Sequence, residues 1–241
     1  MLNTRVAREL TMLLRQRGLS LVELMVGLLL ASIISLMAIL LFWQQQQAWR
    51  LQLARQQIQE EGHLVMQLLR DEAIYAGAHL EDNIFPFFPQ ADNHRNANNE
   101  HSVISFYSQD VTDCLGRNLE APSTVINQYY VRTNAEGVSA LYCRAFARDA
   151  WEEVELVRGV ELFQARVLVE MSDARFMYLK PEELTAQVEP RTLEVLLVLQ
   201  HVETDAHVVE QRSYTDPWGE QWWLREGVYG HFFVRVELLN G

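Results

Sequence analysis

Residues 15–43 read RQRGLSLVELMVGLLLASIISLMAILLFW, and the run from Leu24 to Trp43 holds twenty residues without a charge. At about 1.5 Å of rise per residue, a helix of that length reaches about 30 Å, the hydrocarbon thickness of a bilayer. The stretch predicts a membrane-spanning helix that is apolar all round. A buried core helix is usually shorter and amphipathic. A cleaved secretory signal has an apolar region of about 7 to 15 residues closed by a small-residue site, whereas Gln44 to Gln47 follow here. Glu23 stands at the edge of the run, directly after Leu19, Ser20, Leu21 and Val22. From that edge a carboxylate can reach headgroup water; further in, it would need a partner.

Charge is distributed as unevenly as hydropathy. In residues 1–18 Arg5, Arg8, Arg15 and Arg17 are opposed only by Glu9, a formal +3, and since the whole chain carries −12 the remainder carries −15. The positive-inside rule keeps the basic segment in the cytoplasm and sends the acidic remainder across the membrane. An acidic body lacks the clustered Lys and Arg that neutralise phosphates, so no nucleic acid contact is expected of it. With 241 residues, 49% of them hydrophobic, the chain can build one sizeable folded domain beside the membrane segment.

The string RQRGLSLVELMVGLLLASII, residues 15–34, resembles the type IV prepilin processing signature: a basic leader ending in Gly, then an apolar mature segment with Glu at its fifth position. Gly18 matches the leader Gly, and counting from Leu19 makes Glu23 the fifth residue. The resemblance implies that a prepilin peptidase cuts between Gly18 and Leu19 and methylates the new amino terminus on Leu19, leaving 223 residues. It also implies that Glu23 pairs with the amino terminus of an adjacent pilin and sets axial register. Two features depart from the family. Leu19 stands where Phe is usual, and no Pro kinks the span, the first being Pro86, so the helix should be straighter than in many major pilins.

Residues 44–78 continue without Pro, and Leu51, Ala54, Ile58, Val65 and Leu68 recur at helical spacings. One helix is expected from about Leu19 to about Ala78, with 19–43 in lipid and 44–78 amphipathic. Glu61 and Glu72 interrupt the heptads and argue against an isolated coiled coil. With 1–18 as leader and 79–241 as a globular head, an α+β, pilin-like lollipop follows. Residues 79–101 gather Pro86, Pro89 and DNHRNANNE and read as a surface loop. Asp92, Asn96, Asn98 and Glu100 lack the Gly and the final carboxylate of an EF-hand, so a solvated loop is preferred to a calcium site. Strands are expected at 103–107, 125–132, 138–145, 163–169 and 232–238, with 125–132 and 138–145 paired as a hairpin across Asn134 to Gly137. Residues 192–200, TLEVLLVLQ, are apolar on both faces and suit a central strand, while Pro181, Glu182 and Glu183 open a short helix. The result is one long helix packed on an antiparallel sheet.

Cys114 and Cys143, the two cysteines, fall in the part placed outside the cytoplasm and are expected to pair; two buried free thiols are the alternative. RDEAIYAGAHL, DCLG, LYCR, VRGVELFQARVLV and VRVELLNG are similar to PilW-type minor pilins, a group related to PulJ-type pseudopilins of type II secretion. That likeness implies a bacterial inner-membrane protein with its head in the periplasm. It also implies partnership with other minor pilins and the major pilin in priming assembly, and a place at the pilus tip. Two alternatives compete: a minor pseudopilin, and a tethered adhesin or ligand-binding head, to which only Trp218, Trp222 and Trp223 point directly. Aromatics so spaced more often pack in a core or an interface. No enzyme, cofactor or metal is expected. G-x-S-x-G, H-E-x-x-H and P-loop motifs do not occur, and His63, His79, His94, His101, His201, His207 and His231 are scattered. Glu152 with Glu153, and Glu182 with Glu183, read as acidic surface.

Overall fold

A computed structural model describes residues 20–76, 87, 101–135, 137–147, 150–185, 188–201, 211–225 and 227–238. Gly18, Leu19, His79, His94, His207 and, apart from Phe87 and His101, the 79–101 loop with its calcium alternative lie outside them. The chain divides into two compact units, Met1–Arg50 and Leu51–Gly241. A single helix, α1, runs over Leu21–Tyr75, as the absence of Pro allows.

The two parts of α1 have different surfaces. Every residue from 20 to 53 is exposed, including Leu29, Leu40 and Phe42. Beyond that point Ala54, Ile58, Gly62, Val65, Met66, Leu69 and Ala73 are buried, a stripe at three- and four-residue spacings on one helix face. The expected stripe is corrected at two places: Leu51 is exposed, and Gly62, unremarked in sequence, lies at its centre. An added Cβ at Gly62 would meet Phe232 ring carbons at 2.2 Å, and one at Gly230 would meet Ile58 Cγ2 at 2.3 Å. Helix and strand interlock through two reciprocal notches.

Beyond the helix the second unit is an antiparallel meander followed by a second sheet. Strands β1 (Ile104–Thr112), β2 (Asn118–Thr133), β3 (Ser139–Ala147) and β4 (Ala150–Arg158) pair in sequence order. β5 (Val160–Glu170), β6 (Phe176–Leu179), β7 (Glu189–Gln200) and β10 (Tyr229–Glu237) form a second sheet in the order β10-β7-β5-β6. A ribbon of β8 (Gln211–Thr215) and β9 (Gln221–Arg225) lies between β7 and β10 in sequence. All pairings are antiparallel, so the molecule is α+β with a pilin-like arrangement. The one expected sheet is in fact two sheets and a ribbon. Gly159, the single residue between β4 and β5, stitches the sheets: its N–H donates to the Ser139 carbonyl at 2.8 Å and its carbonyl accepts from Gln200 N–H at 2.7 Å.

The main core joins α1 to the inner faces of both sheets through Leu69, Tyr129, Val131, Leu141, Phe163, Val195 and Leu197. A smaller core of Leu162, Leu196, Val198 and Leu224 lies between the second sheet and the ribbon. β7 therefore has apolar residues on both faces because each face meets a core, as the 192–200 run indicated. The expected 125–132 and 138–145 hairpin is present as β2 and β3, with Thr133 opposite Ser139. Pro181–Glu183 is a short 3-10 turn, in which Glu183 Oε2 accepts the Lys180 N–H at 2.9 Å.

Two turns share one design. Asp113 Oδ1 accepts the N–H groups of Leu115 and Arg117, each at 3.0 Å, and Asp216 Oδ1 accepts those of Trp218 and Glu220 at 2.9 and 2.8 Å. In each the third residue onward is a Gly at positive φ, Gly116 at 73° and Gly219 at 88°, where a side chain would be strained. This explains the D-C-L-G and D-P-W-G strings locally.

Candidate functional site

Glu23 lies in the first turn of α1, where Leu24 N–H donates to the Ser20 carbonyl at 3.1 Å. A carboxylate there is favoured by the positive end of the helix dipole. Its side chain is exposed, and no ion pair to it is found among the described residues. The two serines inside the apolar run bond within the helix: Ser32 Oγ donates to the Leu29 carbonyl at 2.7 Å and Ser35 Oγ to the Ala31 carbonyl at 2.8 Å. Neither hydroxyl is left unbonded, which is what a hydrocarbon surrounding requires. The segment thus combines one carboxylate at a helix start with an apolar, self-satisfied surface that is exposed throughout residues 20–53.

The deciding observation is a match at this same place. Residues 13–39 match the family model described as the prokaryotic N-terminal methylation motif. The chain carries a pilin-like prepilin N-terminus. Such a motif implies processing by a prepilin peptidase and assembly with other pilins, and it belongs to structural proteins not known as enzymes. Together with a helix long and apolar enough to cross a membrane, it is consistent with a single-pass protein anchored in the inner membrane. No curated protein and no solved structure matches the chain.

In the body of this pilin-like chain Cys114 and Cys143 form a disulfide, with Cys143 buried in the main core. The bridge is tied to α1. Asn127 Nδ2 donates to both oxygens of Glu72, at 2.9 and 3.0 Å, while Asn127 Oδ1 accepts the Cys114 N–H at 3.2 Å. Burial first, and then the Glu72 carboxylate, push the neighbouring Tyr129 phenol well above its ordinary range. Glu72, read from sequence as a break in the heptads, is the polar link between helix and disulfide loop.

The other candidates are engaged in structure. Trp218 Nε1 donates to Glu194 Oε2 at 3.0 Å, Trp222 Nε1 donates to Asp216 Oδ2 at 2.9 Å, and both rings pack on the ribbon core, while Trp223 is exposed. Glu194, only 4% exposed, also accepts from Arg166 Nε at 2.7 Å and Tyr178 OH at 3.2 Å. Glu152 pairs with Arg117 at 2.6 Å; Glu153 pairs with Arg132 at 2.8 Å and accepts the Tyr130 hydroxyl. Among the described residues no group of three or more His, Cys, Asp or Glu is placed to hold a metal ion.

His101 precedes β1 and reaches the second sheet, its Nδ1 accepting the Phe163 N–H at 3.2 Å. Ser102 continues the seam: its N–H donates to the Phe163 carbonyl at 2.8 Å, and its Oγ accepts the Ala165 N–H at 3.0 Å. Burial pushes the His101 imidazole down from 6.5 to about 4, because removal from water penalises the charged form. A histidine lowered on folding contributes stability that is fully present above pH 6.5. Between 6.5 and about 4 the unfolded chain takes up the proton and the folded chain does not, so that stability is lost as the pH falls through this window. Thermal midpoints of the detergent-solubilised chain are expected to fall from pH 7 to pH 4.5 more steeply in wild type than in His101→Asn. Parallel slopes would show that another group carries the acid sensitivity.

Proposed function

We propose that this chain is a minor pilin of the PilW type, which joins other minor pilins and the major pilin in the complex that primes type IV pilus assembly and sits at the tip. The observation that carries this reading is the methylation motif over residues 13–39 opening a helix whose apolar surface is exposed all round. The peptidase cuts between Gly18 and Leu19 and methylates Leu19. The basic leader stays in the cytoplasm and the acidic body enters the periplasm, an oxidising compartment in keeping with the Cys114 to Cys143 bridge.

Glu23 has its largest role when apolar helices pack into a fibre. A carboxylate in the middle of a membrane helix costs about 2.5 to 3.5 kcal/mol on insertion scales, and the amino terminus of Leu19 on a neighbouring pilin offsets that cost while fixing the axial register. Glu23→Ala is therefore expected to be cleaved and inserted normally but to co-purify poorly with partner pilins, with Glu23→Asp intermediate. The experiment combines mass spectrometry of the membrane-extracted terminus, co-purification, and fibre counts in strains carrying each substitution. Intact Met1 in cells that process their other pilins would reject the cleavage step, and wild-type incorporation of Glu23→Ala would reject the register role. Recovery with secretion-apparatus subunits rather than pilus fibres would make the chain a pseudopilin.

A further inference from the structure

We infer that Trp43 and Trp49 bind the lipid headgroup layer and fix the depth of α1, so that Glu23 sits at the opposite water boundary until assembly begins. The inference rests on the reading that α1 crosses the bilayer. Trp43 and Trp49 are 62% and 63% exposed, and neither indole N–H has a partner among the described residues. Trp218 and Trp222, by contrast, donate to carboxylates. An indole has an apolar body and one polar N–H, which is satisfied where hydrocarbon meets carbonyls, phosphates and water.

The spacing supports this placement. Trp43 ends the uncharged run, and Gln44 to Gln47 lie between it and Trp49. Six residues span about 9 Å along a helix, slightly more than the polar layer of about 5 to 8 Å on each side of a bilayer. Trp43 therefore takes the hydrocarbon edge of that layer and Trp49, on a helix with the usual tilt of about 20°, its outer edge. At about 100° per residue the two indoles lie about 120° apart around the axis, as suits a medium surrounding the helix better than a protein docked on one face. Glu23 and Trp43 are twenty residues apart, about 30 Å, one hydrocarbon thickness. Sliding the helix one turn toward the periplasm draws Glu23 into hydrocarbon, and sliding it the other way draws in the four glutamine side-chain amides; both moves are costly. The two ends together define one preferred depth.

The test reconstitutes the full chain in phosphatidylcholine and phosphatidylglycerol vesicles carrying a nitroxide either on the headgroup or at carbon 12 of the acyl chain. Tryptophan emission is compared among wild type, Trp43→Phe and Trp49→Phe. The emission lost in each variant is expected to be quenched at least twofold more by the headgroup nitroxide than by the deep one. Depth is read separately from a spin label at Gly27→Cys. With Cys114 and Cys143 bridged it is the one reactive thiol, and an added Cβ there meets nothing within 4 Å. The label is expected to shift by about 3 Å or more, two residues of rise, in Trp43→Ala/Trp49→Ala. Indoles quenched best by the deep label, or by neither while the chain resists carbonate extraction, would overturn the headgroup contact and leave the membrane reading standing. An unmoved Gly27 label would overturn the depth role, and a chain extracted by carbonate would overturn the membrane reading itself.

Discussion

Gly62→Val is expected to be the most damaging single substitution in the folded body, costing about 3 kcal/mol or more at the upper end of overpacking effects. A Cβ at residue 62 would stand 2.2 Å from Phe232 Cε2 and Cζ and 2.6 Å from Cε1. The ring has little room to retreat. It is buried, it meets His63 edge-on with centroids 5.4 Å apart, and two of its carbons come within 2.7 and 2.9 Å of the Cβ position at Gly230. Gly62→Ala should cost less, since alanine restores about 1 kcal/mol of helix propensity, yet remain destabilising. Combining it with Phe232→Leu should recover more than the sum of the single effects. Denaturant unfolding of the detergent-solubilised chain measures both; a Gly62→Val chain as stable as wild type would mean that helix and strand separate at little cost.

Removing the disulfide by Cys114→Ala/Cys143→Ala should have an effect of similar size. The bridge spans 29 residues, and in the chain-entropy model a loop of that length contributes about 3 to 4 kcal/mol. The local arrangement adds a direction to the loss: Cys114 N–H is bonded to Asn127, and Asn127 to Glu72, so the end of α1 should loosen with the loop. Unfolding with and without reductant gives the magnitude, and hydrogen exchange over residues 69–75 gives the location. An unchanged midpoint on reduction would sink the first expectation, and unchanged exchange at the helix end would sink the second.

What was legible in the sequence followed from local periodicity. The unbroken 55 residues of α1 needed only the absence of Pro and an apolar run. β7 needed only apolar residues on both faces, and the β2 to β3 hairpin only a turn containing Gly between two apolar runs. β4 was missed because Glu152, Glu153 and Glu155 made it read as solvated surface. Arg117 and Arg132, the partners of Glu152 and Glu153, reach them only once the meander forms, whereas Arg158 pairs with Glu155 within β4 itself. β6 has four residues, three of them exposed aromatic or Met side chains, too few for an alternation. β8 and β9 were missed as strands. Trp222 and Trp223 of β9 and Trp218 of the turn before it were read as aromatics that more often pack in a core or an interface, which Trp218 and Trp222 do, but β8 has too few apolar residues to show an alternation. Gly62 gave no sign at all, since a lone Gly in a helix shows its purpose only when Phe232 is placed over it. At the N-terminus the reverse held: the proposed cleavage site, the carboxylate and the apolar run are consecutive in sequence, so the motif over residues 13–39 could be read without a fold.

The Phe232 notch also bears on the order of events during folding. Neighbouring strands of the first sheet are close in sequence and pair through local contacts, which form early. The strand that lays Phe232 into the helix is β10, and its partner β7 lies about thirty residues upstream. A chain synthesised from its amino terminus onward therefore has its first sheet able to form while the stripe around Gly62 still lacks its last cover. Completion of the head is signalled at the helix by the arrival of β10. A product truncated before residue 229 keeps its membrane segment and its disulfide loop, but it presents an unfinished helix face to any would-be neighbour.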